Sequence, residues 1–324
     1  MLLEAEALNI DLPTPAGPTR IVRDADFSVD LGGALGVVGE SGSGKTMTAL
    51  AIMGLLPEGA RISGQLRFDG RDLTSLDEAH WRRLRGNRVA MIFQEPMTAL
   101  NPLQTIGPQI AEAMALHRGL SRRAALAEAT ILMERVGLPE AARRARSYPH
   151  ELSGGQRQRA MIAMAIGCAP KLIIADEPTS ALDVTVQAQI LDLLARLREE
   201  TGMALILVSH DLAVIAENCE RIIVMYGGMV MESGATRDVL DHPAHPYTRA
   251  LLAARPQIGA ARAGKLRTIP GVAPPAGEAP RGCAFAGRCP LTVAACADAM
   301  PPASVLGPDR YARCFRLDEA ERLS

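Results

Sequence analysis

Gly39-Glu40-Ser41-Gly42-Ser43-Gly44-Lys45-Thr46 sets two glycines, a lysine and a hydroxyl at the spacing G-x-x-x-x-G-K-T. The apolar run Ala34-Leu35-Gly36-Val37-Val38 leads into it, and Met47 to Met53 leads out. A strand, a glycine-rich turn and a helix start make the context in which such a loop wraps a phosphate chain. Its glycines let successive N–H groups turn inward as an anion nest. The helix start adds unpaired N–H groups and the positive end of its dipole. Lys45 would reach the β- and γ-phosphates, and the Thr46 hydroxyl would ligate Mg²⁺. These residues imply binding of a nucleoside triphosphate.

Hydrolysis would need a metal-holding carboxylate and a base for water. Leu172-Ile173-Ile174-Ala175 reads as a strand buried on both faces and ends at Asp176-Glu177. Asp176 can hold Mg²⁺ through water, which leaves Glu177 to orient or deprotonate the attacking water. Val89 to Phe93 is another such strand, ending at Gln94, and Gly202 to Ser209 is a third, ending at His210. Ligands bind at the carboxyl ends of parallel strands. Gln94 is thus placed to touch Mg²⁺ or position water, and His210 to touch the γ-phosphate. Read alone, each is an ordinary strand-end residue. Leu152-Ser153-Gly154-Gly155-Gln156 opens an apolar helix, with Ser153 as its N-cap and two glycines that let a phosphate approach the backbone.

The remaining sequence must position these groups. At 324 residues and 48% hydrophobic, the chain has room for a large α/β domain and an appendage. A net charge of −1 gives no reason to expect nucleic acid as a partner. Lysine occurs only at Lys45, Lys171 and Lys265. The start, Met1 to Glu6, lacks a signal peptide's basic segment, and no apolar run reaches the roughly 18 residues of a membrane span. The expected protein is therefore soluble, or peripheral to a membrane through another subunit. Residues 1–38 read as β-rich, and 61–73 as a strand pair turning at Asp69-Gly70. Residues 97–150 carry amphipathic helical patterns over Ile110 to Leu116 and Ala124 to Val136, expected as a helical insertion. Arg221 to Tyr226 and Met229 to Glu232 make a last hairpin. Beyond residue 255 come a Pro/Gly-rich linker over 270–280 and Cys283, Cys289, Cys296 and Cys314.

In that order, the loop at 39–46, Gln94, Ser153-Gly154-Gly155-Gln156, Asp176-Glu177, Ser180-Ala181-Leu182-Asp183 and His210 resemble the nucleotide-binding subunits of ATP-binding cassette (ABC) transporters. The Leu-Ser-Gly-Gly-Gln stretch separates that family from other P-loop ATPases, and the resemblance covers about residues 1–255. It implies an α/β fold with a RecA-like, mostly parallel P-loop ATPase core, an antiparallel β subdomain and an inserted helical subdomain over about 97–165. The cysteine-bearing extension would occupy 256–324. By the same resemblance, two subunits meet head to tail. Ser153-Gly154-Gly155-Gln156 of each would cap the ATP held by the other's loop, with Asp183 at the seam. Glu177 would be the general base, His210 the γ-phosphate sensor, and Gln94 the link to the helical insertion that grips a membrane subunit. Members usually stack an aromatic on adenine, but residues 8–24 contain none. Leu12, Ile21 or Val22 would pack there instead.

Phe93 to Pro102, His245-Pro246-Tyr247-Thr248 and the cysteine tail resemble the dipeptide/oligopeptide/nickel importer branch. That implies a second, homologous ATPase, two transmembrane permease subunits and an extracytoplasmic solute-binding protein. It also implies a peripheral site on the cytoplasmic face of the inner membrane. Peptides are the expected solute, with nickel or another small solute as the alternative. A soluble, non-transport ABC ATPase is the more distant rival, and the large insertions or paired cassettes of that group are missing. Four cysteines in one segment suit a [4Fe–4S] cluster, tetrahedral zinc or free thiols in a small packed tail. Structural zinc usually takes tight C-x2–4-C pairs, and none occurs here. The branch resemblance points to iron–sulfur.

Overall fold

A computed structural model describes residues 1–15, 17–180, 182–254, 268–278 and 281–320. Its strands in chain order are β1 (Leu3–Thr14), β2 (Gly17–Val29), β3 (Ala34–Val38), β4 (Arg61–Phe68), β5 (Arg71–Asp72), β6 (Val89–Ile92), β7 (Leu172–Asp176), β8 (Ala204–Ser209), β9 (Arg221–Tyr226), β10 (Met229–Ala235), β11 (Ser304–Gly307) and β12 (Arg310–Ala312). The chain forms two compact units. One contains Met1–Leu2, Val29–Ala34 and Ser75–Val208, and the other Leu3–Ser28, Leu35–Thr74 and Ser209–Ser324.

In the first unit, β6, β7 and β8 run parallel, with Val89 opposite Leu172 and Leu172 opposite Ala204. Every residue of these strands is buried. That explains their unbroken apolar sequences, because a parallel strand covered on both faces has no outward side to make polar. The helices Ile106–Arg118, Arg122–Arg135 and Gly154–Ile166 pack on one another. Ile110, Met114, Ala129 and Met133 are fully buried between them. These helices lie in the stretch expected to be helical.

In the second unit, β3 is parallel to β9, with Leu35 opposite Arg221 and Val38 opposite Val224. The hairpin β9–β10 is antiparallel. A separate antiparallel sheet has the order β2-β1-β4-β5. Its β4–β5 turn puts Asp69 and Gly70 at φ 51 and 75, the left-handed pair that the Asp-Gly sequence favours.

The tail does more than the sequence suggested. Residues 268–278 carry neither helix nor strand, as expected of a linker. Ala181, residues 255–267, where the extension was expected to begin, and Pro280 at the linker's end lie outside the described residues. Farther on, β12 pairs with β10, with Glu232 opposite Ala312 and Ser233 opposite Tyr311, and β11 pairs with β12. The Tyr311 hydroxyl donates to the Asp26 carbonyl at 3.0 Å, and Arg310 stands 3.5 Å from the Glu232 carboxylate. Glu232 is wholly buried, which pushes its carboxyl up. The N–H groups of Ala244 and His245, donating at 2.8 and 2.9 Å, pull it back down.

Candidate nucleotide site

The loop after β3 closes around its own lysine. Lys45 is buried, and its Nζ donates to the carbonyls of Gly39 at 2.9 Å and Glu40 at 3.0 Å. The Ser43 N–H donates to the Glu40 carbonyl at 3.2 Å, and the Gly228 N–H donates to the Ser43 carbonyl at 3.2 Å. Gly44, at φ 100, is the N-cap of the helix Lys45–Met53 and carries no side-chain cap. Gly39 has no room for a side chain, because a Cβ there would stand 2.2 Å from the Met225 carbonyl oxygen and 2.6 Å from Ser43 Oγ.

These features fit a phosphate chain with Mg²⁺. The Ser43 hydroxyl is buried and has no hydrogen-bond partner among the described residues. Leaving such a group unmet costs about 1–3 kcal/mol, which a ligand oxygen would offset. Thr46 is exposed at the second residue of the helix, open to a metal. Ser41 and Gly42 are exposed on the loop, Gly42 at φ 78 with open space where a Cβ would stand. His210 is exposed directly after β8, and Asp211 caps the next helix by accepting from Ala213 N–H at 2.7 Å.

Of the residues expected to pack near adenine, Val22 is wholly buried, and its Cγ2 would touch a Cβ on Gly44 at 3.1 Å. Ile21 is buried too. Leu12 is half-buried on β1.

The other unit holds the remaining site residues. Asp176 is buried at the end of β7. Glu177 is half-buried and sits at φ 44, a left-handed conformation uncommon outside glycine and typical of functional turns. The Gln94 amide donates to the Glu177 carboxylate at 3.3 Å, which joins two strand ends that sequence reading treated separately. At Ser153-Gly154-Gly155-Gln156, the Ser153 hydroxyl accepts from Gln156 N–H at 3.3 Å, and the Gln156 side chain accepts from Ser153 N–H at 3.1 Å. This is a reciprocal capping box. Ser153 and Gly154 are exposed. Gly155 has a packing role besides, since a Cβ there would come within 2.8 Å of Val186. Asp183 caps the helix Val184–Thr201, accepting from Val186 N–H at 3.0 Å.

Cys283, Cys289, Cys296 and Cys314 gather in one part of the tail. Burial pushes the Cys283 thiol up to about 11, and Cys289, Cys296 and Cys314 add repulsion to its charged form. Among the described residues, however, no three His, Cys, Asp or Glu side chains are placed to hold a metal ion. A single zinc needs its sulfurs about 2.3 Å away on all sides. These cysteines come from separate turns, and Cys314 Sγ accepts from the Arg316 N–H at 3.3 Å. Neither the [4Fe–4S] cluster nor the zinc expectation finds a ligand set among the described residues.

Two groups beside the loop escaped sequence reading. The Tyr247 hydroxyl accepts from the Glu40 N–H at 2.9 Å, and Arg288 pairs with the Glu40 carboxylate at 2.7 Å. Tyr247 lies in the stretch His245-Pro246-Tyr247-Thr248, whose likeness to the importer branch gives no hint of a contact with the loop. For Arg288 the sequence held no signal.

Comparison with known proteins agrees with this geometry. Residues 22–180 match the ABC transporter family, and residues 231–296 match the oligopeptide/dipeptide transporter C-terminal region. The chain is 49% identical to a putative peptide import ATP-binding protein of Brucella abortus, with 98% of each chain covered. It is 47% identical to the oligopeptide transport ATP-binding protein OppD of Salmonella typhimurium, covering 98% of this chain and 94% of that one. Among solved structures, it is similar to the dimeric post-hydrolysis state of the ATP-binding cassette MJ0796 bound to ADP and Pi. The TM-score is 0.66 at 28% identity, over 73% of this chain and 99% of the other.

The contacts at Gly39 make a direct prediction. Gly39→Ala must lift the loop off Met225, and MgATP affinity should fall at least tenfold or so in a fluorescent-nucleotide titration. Unchanged affinity would mean that this loop is not the phosphate cradle.

Proposed function

The chain belongs to the ABC transporter family, and on that premise we propose that it binds and hydrolyses ATP to energise peptide import. The observation that carries the reading is the closed loop around Lys45, on a chain that matches a peptide-importer ATPase along almost its whole length. Permease subunits are the partners of such an ATPase.

The residue roles belong to this proposal. The main-chain N–H groups of Gly42 and Gly44, the Ser43 hydroxyl and Lys45 bind phosphate oxygens. Thr46, Asp176 and Gln94 hold Mg²⁺, which when bound offsets the charge of the phosphates. Glu177 takes the proton of the attacking water, and the Gln94 amide keeps its carboxylate oriented. His210 senses the γ-phosphate. The exposed Ser153-Gly154-Gly155-Gln156 helix start faces the nucleotide of a second, homologous ATPase, with Asp183 at the seam. The complete importer adds two transmembrane permease subunits and an extracytoplasmic solute-binding protein. Among the described residues no helix is long and apolar enough to cross a membrane, in keeping with peripheral attachment at the cytoplasmic face. We assign residues 1–255 to the cassette and 256–324 to the extension.

The tail cysteines belong to the same reading as ligands of a [4Fe–4S] cluster. What supports it is the match to the oligopeptide/dipeptide transporter C-terminal region and the gathering of the four cysteines in one part of the tail.

Glu177→Gln should lower ATP turnover about 100-fold or more while leaving MgATP binding within a few-fold of wild type. Turnover close to wild type would remove Glu177 as the base. Protein purified without oxygen should hold about four irons and four acid-labile sulfides per chain. Metal-free protein with full ATPase activity would make the cysteines a packed thiol cluster.

A further inference from the structure

Glu40, the second residue of the phosphate-binding loop, is held from three directions. Its carbonyl accepts from Lys45 Nζ and from Ser43 N–H, bonds that lie inside the loop. Its N–H donates to Tyr247 Oη at 2.9 Å. Its carboxylate takes Arg288 Nη1 at 2.7 Å. The last two partners lie far along the chain, one in the helix Pro246–Ala253 and the other between Cys283 and Cys289.

Arg288 is itself fully engaged. Its side chain is only 8% exposed. Beyond Glu40, it donates to the Tyr226 hydroxyl at 3.1 Å, to the Pro270 carbonyl at 2.8 Å and to the Ile269 carbonyl at 3.2 Å. The guanidinium lies over the rings of Tyr226 and Phe285, at 5.7 and 6.0 Å from their centroids. Those rings pack with Tyr247, with centroids 4.5 Å apart for Tyr226–Tyr247 and 5.2 Å for Tyr247–Phe285. The three aromatics and Arg288 form one block, and its Tyr247 hydroxyl and Arg288 guanidinium both bond to Glu40.

Burying a guanidinium costs desolvation that its ion pair only partly returns, so stability is a weak reason for this arrangement. A planar fork with several fixed acceptors is suited to holding a geometry. The loop it holds must keep its N–H groups turned inward to bind phosphate. If the loop were free to open, apparent affinity would fall with the closed fraction.

We infer that Arg288, assisted by Tyr247, is a positioning residue for the phosphate-binding loop. The cysteine-bearing tail therefore sets the affinity for MgATP through Glu40. This rests on the ATPase reading and adds to it a task for the tail. Arg288 reaches no reacting atom. It acts by fixing Glu40, and Glu40 fixes the carbonyls that hold Lys45.

The test uses the full chain, with MgATP affinity and thermal stability measured for wild type, Arg288→Met, Glu40→Gln, the double variant and Tyr247→Phe. Arg288→Met and Glu40→Gln should each weaken MgATP about five- to tenfold, the worth of one ordinary hydrogen bond. The double variant should be no weaker than either alone, because both remove one interaction. KM for ATP should rise by the same factor, with kcat within about twofold. A bond that merely fastened the tail would lower the melting temperature and leave affinity within twofold, and that result overturns the inference. Tyr247→Phe keeps the ring packing and loses only the acceptor for Glu40, so it carries the test if Arg288→Met fails to fold. Wild-type protein that bound no MgATP would remove the ATPase reading along with this one. Wild type and variants that bound equally well would remove this one alone.

Discussion

A buried ammonium held by two carbonyl oxygens governs the loop unit. Lys45 is out of water, and its Nζ donates to the Gly39 and Glu40 carbonyls. An ammonium beside the inward-turned N–H groups of a glycine-rich loop fits a cradle for negative charge. Gly39 pressed on the Met225 carbonyl, Gly228 bonded to Ser43, and Val22 beneath Gly44 all keep that cradle shut.

The candidate site residues of the other unit follow a similar economy of position. Glu177 takes a left-handed backbone at the end of β7 and shares a hydrogen bond with Gln94 at the end of β6. The helix start at Ser153 closes its own capping box, yet leaves Ser153 and Gly154 in solvent. The helix N-terminus is thus capped by its own side chains and still lies at the surface. Gly155 also answers to packing, since Val186 leaves no room for a Cβ.

Much of this was legible in the sequence because each feature leaves a local mark. Parallel strands covered on both faces must be apolar throughout, which made β7 and β8 plain. The Asp-Gly turn, the Ser153 cap and the G-x-x-x-x-G-K-T loop are set within a few residues of chain. What stayed hidden depends on distant partners. The pair Arg288–Glu40 joins residues 248 apart, and no spacing announces it. The strands β11 and β12 are four and three residues long with mixed exposure, so they lack the alternation that marks a strand. The lack of an aromatic over residues 8–24 is plain in the sequence, whereas the packing of Val22 beside Gly44 joins distant residues and leaves no local mark.

The most direct test is uptake of a labelled peptide by cells that make the complete importer with either wild-type chain or Lys45→Ala. The cradle around Lys45 is needed to hold ATP, so uptake should be restored by the wild-type chain and fall to background with Lys45→Ala at equal protein level. Equal uptake with both chains would contradict an ATP-driven peptide import function for this protein.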